Sequence, residues 1–207
     1  MFRLLLVDWP WKFGDSLPGK KRGAAKNYAC MPAERAATYK LPPLADDCLM
    51  LFWRVASMQQ EALDIVRAWG FTVKSELIWA KLTKHGKPWF GMGLFVRNAH
   101  EVCLVCTRGR VKVRSHSVRS GFSAPVPVDA RGHYVHSAKP DEIYRIAETL
   151  SEGPCRSCTG QLTMVLFRGS FICGGSGNRT RVGDEAQPLP RWPRLPLPTY
   201  RQENTGD

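Results

Sequence analysis

The chain carries 30 Lys+Arg against 18 Asp+Glu over 207 residues, a formal net charge of +12, with 43% hydrophobic and 23% charged side chains. That composition is globular and excludes wholesale disorder. No apolar run reaches the ~18–20 residues of a membrane-spanning helix, so no membrane partner is expected.

In chain order, Met1-Phe2-Arg3-Leu4-Leu5-Leu6-Val7-Asp8 is too short an apolar run for an export signal and ends in a carboxylate. The seven cysteines are therefore expected as reduced thiols in a bacterial or host-cell cytoplasm. Phe2 to Val7 suits a strand buried on both faces, and Cys48-Leu49-Met50-Leu51-Phe52-Trp53 a second. Ser57, with Gln60 three residues on, has the pattern of a capping box. Met58, Ala62, Leu63, Ile65, Val66 and Trp69 form the buried stripe of the helix that follows, and Gly70 stops it. Val73–Ala80 and Glu101–Thr107 read as further strands. Pro140 suits a first helical position, with Asp141 and Glu142 at the positive end of the dipole and Ile143, Ile146, Ala147 and Leu150 facing inward. Alternation of this kind predicts an α/β fold with a mostly parallel sheet. Ligands of such sheets sit at the carboxyl ends of strands, where Asp8 falls.

Character changes late in the chain. Residues 1–150 hold 23 basic and 13 acidic side chains, including all eleven lysines; residues 151–207 hold seven arginines, five acids and six prolines. Five of those prolines lie between Pro188 and Pro198, which excludes an interior helix or central strand. The expected division is a domain over 1–153 and an atypical, partly unpacked Arg/Pro-rich segment over 154–207.

Asp8-Trp9-Pro10-Trp11 is the segment richest in chemistry. A carboxylate leaves a buried strand beside a proline and two indoles; an aromatic face stacks on a flat base for ~1–3 kcal/mol, and a carboxylate with a free carbonyl accepts both hydrogens of an exocyclic amine. The same tetrapeptide also suits a strand-end turn packed by aromatics. It resembles the Asp-Pro-Pro-Trp signature of amino-group adenine methyltransferases. In order, Tyr28-Ala29-Cys30-Met31, Leu49 to Trp53, Trp69-Gly70-Phe71, Glu76 to Lys81, Gly91-Met92-Gly93 with Arg97 to Glu101, and His136 to Tyr144 are similar to one branch. That branch is the family of the eukaryotic messenger-RNA adenosine methyltransferase and its phage and bacterial DNA-modifying relatives.

The resemblance implies a Rossmann-like fold with permuted motif order that uses S-adenosylmethionine to methylate the exocyclic amine of adenine. It implies that Asp8 holds the amine and touches the cofactor, that the Pro10 carbonyl takes the second amine hydrogen, and that Trp11 stacks on the base. Lys139 lies by the cofactor, and Tyr28 sits on a loop over the acceptor pocket. Trp9 stands where the signature has its first proline, on the substrate side, narrowing the pocket or turning outward. Arg97, His100 and Glu101 are expected as a structural polar network. DNA is the expected acceptor, with RNA as its alternative. A nucleic-acid-binding relative with a defective cofactor pocket is the rival reading, because Leu166-Phe167-Arg168 and Gly177-Asn178 match the family's C-terminal motifs poorly. One account of that departure is a shifted reading frame or recombined end after about residue 153.

The basic balance suits nucleic acid through counterion release. Lys12 to Lys26, Lys81 to Lys87 and Arg108 to Arg119 hold three basic clusters, expected to share one positive rim at the strand ends; solvated loops are the alternative. Cys103/Cys106 and Cys155/Cys158 form two Cys-x-x-Cys pairs. No metal is expected, because residues three apart on a strand face opposite sides.

Overall fold

The apolar run after Met1 forms β1 (Phe2–Asp8), buried from Leu4 onward. The computed structural model describes residues 2–12, 32–41, 43–93, 95–135 and 137–151, with the backbone of 163–165. Tyr28 and the second Cys-x-x-Cys pair lie outside the described residues, as does the Pro-rich stretch. After β1 come α1 (Ala33–Ala37), β2 (Leu44–Arg54), α2 (Gln59–Ala68), β3 (Thr72–Leu82), β4 (His100–Arg108), β5 (Gly121–Pro125), α3 (Glu142–Leu150) and β6 (Thr163–Val165).

The strands form one six-stranded sheet in the order β5-β3-β4-β2-β1-β6. The α/β class is as expected and five strands share one direction, but β4 opposes them and makes the sheet mixed. β1 pairs parallel with β2 and β6, and β3 with β5, while β4 runs antiparallel to both β2 and β3. The cause lies in the connection 83–99. A parallel return needs a crossover, usually helical, and this stretch holds Gly86, Pro88, Gly91 and Gly93 instead. A Cβ at Gly91 or Gly93 would collide with the backbone carbonyls of Asn98 and Val96, so the loop closes tightly and delivers β4 beside β3 in the reverse sense.

Strand alternation divides the core into two layers. Leu5, Val7, Met50, Phe52, Leu104 and Cys106 face α1 and α2. Leu4, Leu6, Leu49, Leu51, Trp53, Leu77, Trp79 and Cys103 face α3, packing on Ile143, Ala147 and Leu150. Cys103 and Cys106 thus point to opposite sides of the sheet. Burial pushes the Cys48 thiol up to about 11 and that of Cys106 up to about 12, so both are inert hydrophobes at neutral pH.

The ends of α2 follow different rules. At its C-terminus Gly70 adopts φ +76°. Its N–H bonds the Arg67 carbonyl at 2.9 Å, and the Phe71 N–H bonds that of Val66 at 3.0 Å. Those two bonds make a Schellman stop. The capping box expected at the other end does not form. A 3₁₀ turn over Ala56–Met58 shifts the N-cap to Met58, which has no side-chain cap, and Gln60 bonds Asp64 instead at 3.0 Å.

Candidate active site

Asp8 ends β1 with the parity of Leu4 and Leu6, so its carboxylate emerges on the α3 side of the sheet. Its register partner on β2 is Trp53, whose own partner on β4 is Cys103. Only 8% of Asp8 is exposed, and a carboxylate so enclosed needs charge compensation. Lys139, on the turn that leads into α3, supplies it: Nζ donates to Asp8 Oδ2 at 2.9 Å.

The same ammonium lies 3.3 Å from Glu101 Oε2 and donates to the Ser137 carbonyl at 3.2 Å. Three acceptors therefore surround a group with three hydrogens. Ser137 holds φ +58°, a left-handed conformation that non-glycine residues rarely adopt, in the turn that aims Lys139 at the sheet. Glu101 continues the chain of charge, its Oε1 accepting from Lys81 Nζ at 2.6 Å. Burial alone would raise the Glu101 carboxyl, but the Lys139 and Lys81 charges and their hydrogen bonds hold it below its ordinary value.

Beneath the charges lies an aromatic floor. Lys139 Nζ sits 5.3 Å from the centre of the Trp53 ring and Lys81 Nζ 5.1 Å from that of Trp79. The two indoles meet edge to face at 6.2 Å. One carboxylate thus bridges two ammonium–indole stacks, each a favourable cation–π arrangement. Trp79 Nε1 donates to the Ala124 carbonyl at 2.9 Å, whereas Trp53 Nε1 is buried with no hydrogen-bond partner among the described residues.

The structure brings Asp8 and Lys139 together across 131 positions of sequence, and sets Trp9 and Trp11 elsewhere. Trp9 is 1% exposed, edge to face with Tyr39 at 6.0 Å and Trp69 at 6.3 Å. Trp11 is also buried, its ring 5.9 Å from Phe52 and its Nε1 donating to the Trp53 carbonyl at 3.4 Å. Between them, Pro10 is the centre of a γ-type turn in which the Trp11 N–H bonds the Trp9 carbonyl at 2.9 Å. That bond occupies the carbonyl of Trp9, not that of Pro10.

Of the polar trio expected around β4, only Glu101 joins the buried network. Arg97 lies over Phe90 at 5.3 Å and His100 is exposed. Lys81, Trp53 and Trp79 complete a site that motif reading did not assemble. Strand parity was the available signal: Leu77, Trp79 and Lys81 alternate on one face of β3, as Leu51 and Trp53 do on β2. The third basic cluster also departs from expectation. β4 antiparallel means that Arg108 pairs with Cys48, at the end of the sheet opposite Asp8, so the clusters do not share one rim.

Fold and site together define an α/β protein with a buried charge pair at the carboxyl end of its first strand. The MT-A70 family profile matches residues 2–167, and the chain belongs to that family, which uses S-adenosylmethionine as methyl donor. It is 28% identical over 158 residues to the N(6)-adenosine-methyltransferase MT-A70-like protein of Drosophila melanogaster, covering 73% of this chain and 23% of that one. It is 25% identical over 160 residues to the N(6)-adenosine-methyltransferase catalytic subunit METTL3 of Homo sapiens, with 73% and 24% covered. The chain spans about a quarter of the length of the curated relatives it matches. The match runs past residue 153, the expected domain end, and takes in β6.

Proposed function

We propose that this chain transfers a methyl group from S-adenosylmethionine to the exocyclic amine of adenine in nucleic acid, with DNA as the acceptor. The buried Asp8–Lys139 pair at the exit of β1 carries the reading. A Rossmann-like arrangement in permuted order is part of it. The strand bearing Asp8 lies between β2 and the late strand β6, so chain order reverses there, and such switch points are where open α/β sheets bind ligands.

The donor set suits the cofactor's zwitterionic amino-acid end: Asp8 offers a carboxylate to an ammonium, Lys139 an ammonium to a carboxylate, and Trp53 a buried N–H without a described partner. When bound, the cofactor supplies an electrophilic methyl on a sulfonium. Everything else is positioning, which in favourable cases lowers a barrier by ~7–11 kcal/mol. Asp8 accepts a hydrogen of the target amine, which aims the nitrogen lone pair, and its carboxylate stabilises the positive charge that grows on nitrogen. It is also the acceptor within reach for the amine's surplus proton. The Pro10 carbonyl takes the second hydrogen. Lys139, itself fixed by Glu101 and Ser137, keeps the Asp8 carboxylate in one orientation. Trp11 reaches a base only by leaving Phe52, so in this reading it walls the pocket. To Tyr28, which lies outside the described residues, the proposal assigns the acceptor-loop role that the resemblance implies.

Labelled donor, matched single- and double-stranded DNA and RNA, and the Asp8→Ala variant test the proposal together. Incorporation into adenine by the parent and its loss in the variant are expected; equal incorporation by both sinks the role of Asp8. A ribonucleotide acceptor is the second reading, favoured by relatives named for adenosine, and preferential labelling of RNA would select it. Absence of donor binding by calorimetry would select the rival reading of an inactive nucleic-acid-binding relative.

A further inference from the structure

The segment 109–120 joins the far end of β4 to the start of β5. It departs where Arg108 pairs with Cys48 and returns where the Ile78 N–H bonds the Ser120 carbonyl at 2.6 Å. Its burial alternates. Val111 and Val113 pack against the α3-side cluster, while Arg110, Lys112, Arg114 and His116 are exposed. A turn at Ser115 and Ser117, whose hydroxyls lie 2.8 Å apart, brings Val118 back to the cluster and leaves Arg119 exposed. The main chain is tied down as well. The Arg114 N–H bonds the Leu150 carbonyl at the end of α3 at 2.9 Å, and the Arg110 N–H bonds Asp47 Oδ1 at 2.6 Å. Valines and main-chain bonds thus anchor the strip and turn its cations outward.

Some described cations are neutralised by carboxylates and others, among them Lys74, Lys84, Lys87 and Arg131, are not; this strip gathers several of the second kind on one anchored segment. Lys81, Lys139, Arg54 and Arg67 each pair with a carboxylate. Asp47 lies beside Arg110, but Lys112, Arg114 and Arg119 have no ion pair among the described residues. An anchored array of unneutralised cations suits the regular charge of a phosphodiester backbone, which positions a strand without reading its sequence.

We propose that Lys112, Arg114 and Arg119 form a track for the nucleic-acid backbone, separate from the pocket at Asp8. This inference rests on the nucleic-acid partner in the proposed function, not on methyl transfer itself. From the Glu101 level to Arg108, β4 runs ~24 Å at ~3.4 Å per residue. A strand seated at both places therefore continues about seven nucleotides past the target at ~3.4 Å each. Short oligonucleotides reach the pocket and miss Lys112 and Arg114.

Anisotropy titrations of the full chain with a labelled 20-mer and a labelled 5-mer, across a salt series, test this. Replacing both Lys112 and Arg114 with alanine is expected to flatten the log K against log salt slope on the 20-mer by about 1.4 for a single strand or about 1.8 for a duplex. Affinity for the 5-mer should stay at the parent value, and Lys112→Arg with Arg114→Lys should keep the parent slope. A parental slope in the alanine variant overturns the track, as does equal loss on both oligonucleotides. Competition by polyglutamate as effective as that by a 20-mer of equal charge overturns it too, in favour of an acidic protein partner. Asp8→Ala run alongside separates the two proposals: a slope change without any methylation sinks only methyl transfer.

Discussion

Consecutive residues of β1 serve two different solvents. Leu5 and Val7 look into a layer of hydrocarbon and aromatic rings beneath α1 and α2; Leu4 and Leu6 begin a row that ends in the paired carboxylate of Asp8 on the α3 side. Trp9, one residue further, belongs wholly to the first layer. The contrast teaches that an aromatic motif beside a carboxylate has two components with separate duties, packing and charge placement, and a single-residue shift in register would exchange them.

The widest separation between the layers is expected at adjacent positions. Asp8→Ala should lower methyl transfer at least about a hundredfold, the scale of losing a preorganised electrostatic contact, while the fold survives because Lys139 keeps Glu101 and Ser137. Trp9→Ala should do the reverse, costing about 3–5 kcal/mol of stability through the cavity it opens. Urea unfolding with single-turnover labelling measures both; equivalent stability loss in the two variants would erase the distinction.

Within the charged layer, Lys139→Met is the harshest stability change. It takes the ammonium from Asp8 and leaves Glu101 with Lys81 alone, and breaking a buried pair from one side costs about 3–5 kcal/mol. Adding Glu101→Gln to Lys139→Met should recover part of that loss. Additive costs in the double variant would mean that the two groups do not communicate.

How far the sequence foretells this arrangement depends on the range of the interaction. β1, β2, β3, β4 and the two longer helices are legible because burial writes a local period. The Gly70 stop is legible because only a left-handed residue closes that turn. The capping box at Ser57 fails because a 3₁₀ turn competes for the same residues, and β5 is too short to show a period. The reversed β4 was inferable from the absence of helical spacing in 83–99, but not its insertion between β2 and β3, which is a property of the whole sheet. Asp8 and Lys139 came from motif resemblance, which says nothing of their contact. Lys81, Trp53 and Trp79 lie within segments that resemble the family but received no role there; only the register that aligns Asp8, Trp53 and Cys103 brings them together.

A gentler probe uses acid. The Glu101 carboxyl lies below its ordinary 4.5 in the folded chain. Its contribution is present in full above the unfolded value and disappears as pH falls through the lower folded one. Stability should therefore decline with acidification below about pH 4.5, and Glu101→Gln should flatten that part of the curve. Urea midpoints across pH 3–6 would reveal it; superimposable slopes would deny Glu101 its place between the lysines.

The finest comparison lies within the aromatic floor. Trp53 and Trp79 are both buried and face each other edge on, but only Trp79 has an acceptor for its indole N–H among the described residues. Tryptophan to phenylalanine removes a similar volume from each, so the difference between the two variants isolates the hydrogen bond. Trp79→Phe removes a hydrogen bond to the Ala124 carbonyl, and should therefore cost about 0.5–1.5 kcal/mol more than Trp53→Phe, which removes a donor already unmatched. The order should invert when donor affinity is read instead of stability. If the free N–H of Trp53 serves the cofactor, Trp53→Phe weakens S-adenosylmethionine binding in calorimetry while Trp79→Phe leaves it near the parent. Identical donor affinities would make Trp53 a floor and nothing more, with Asp8 and Lys139 alone facing the cofactor.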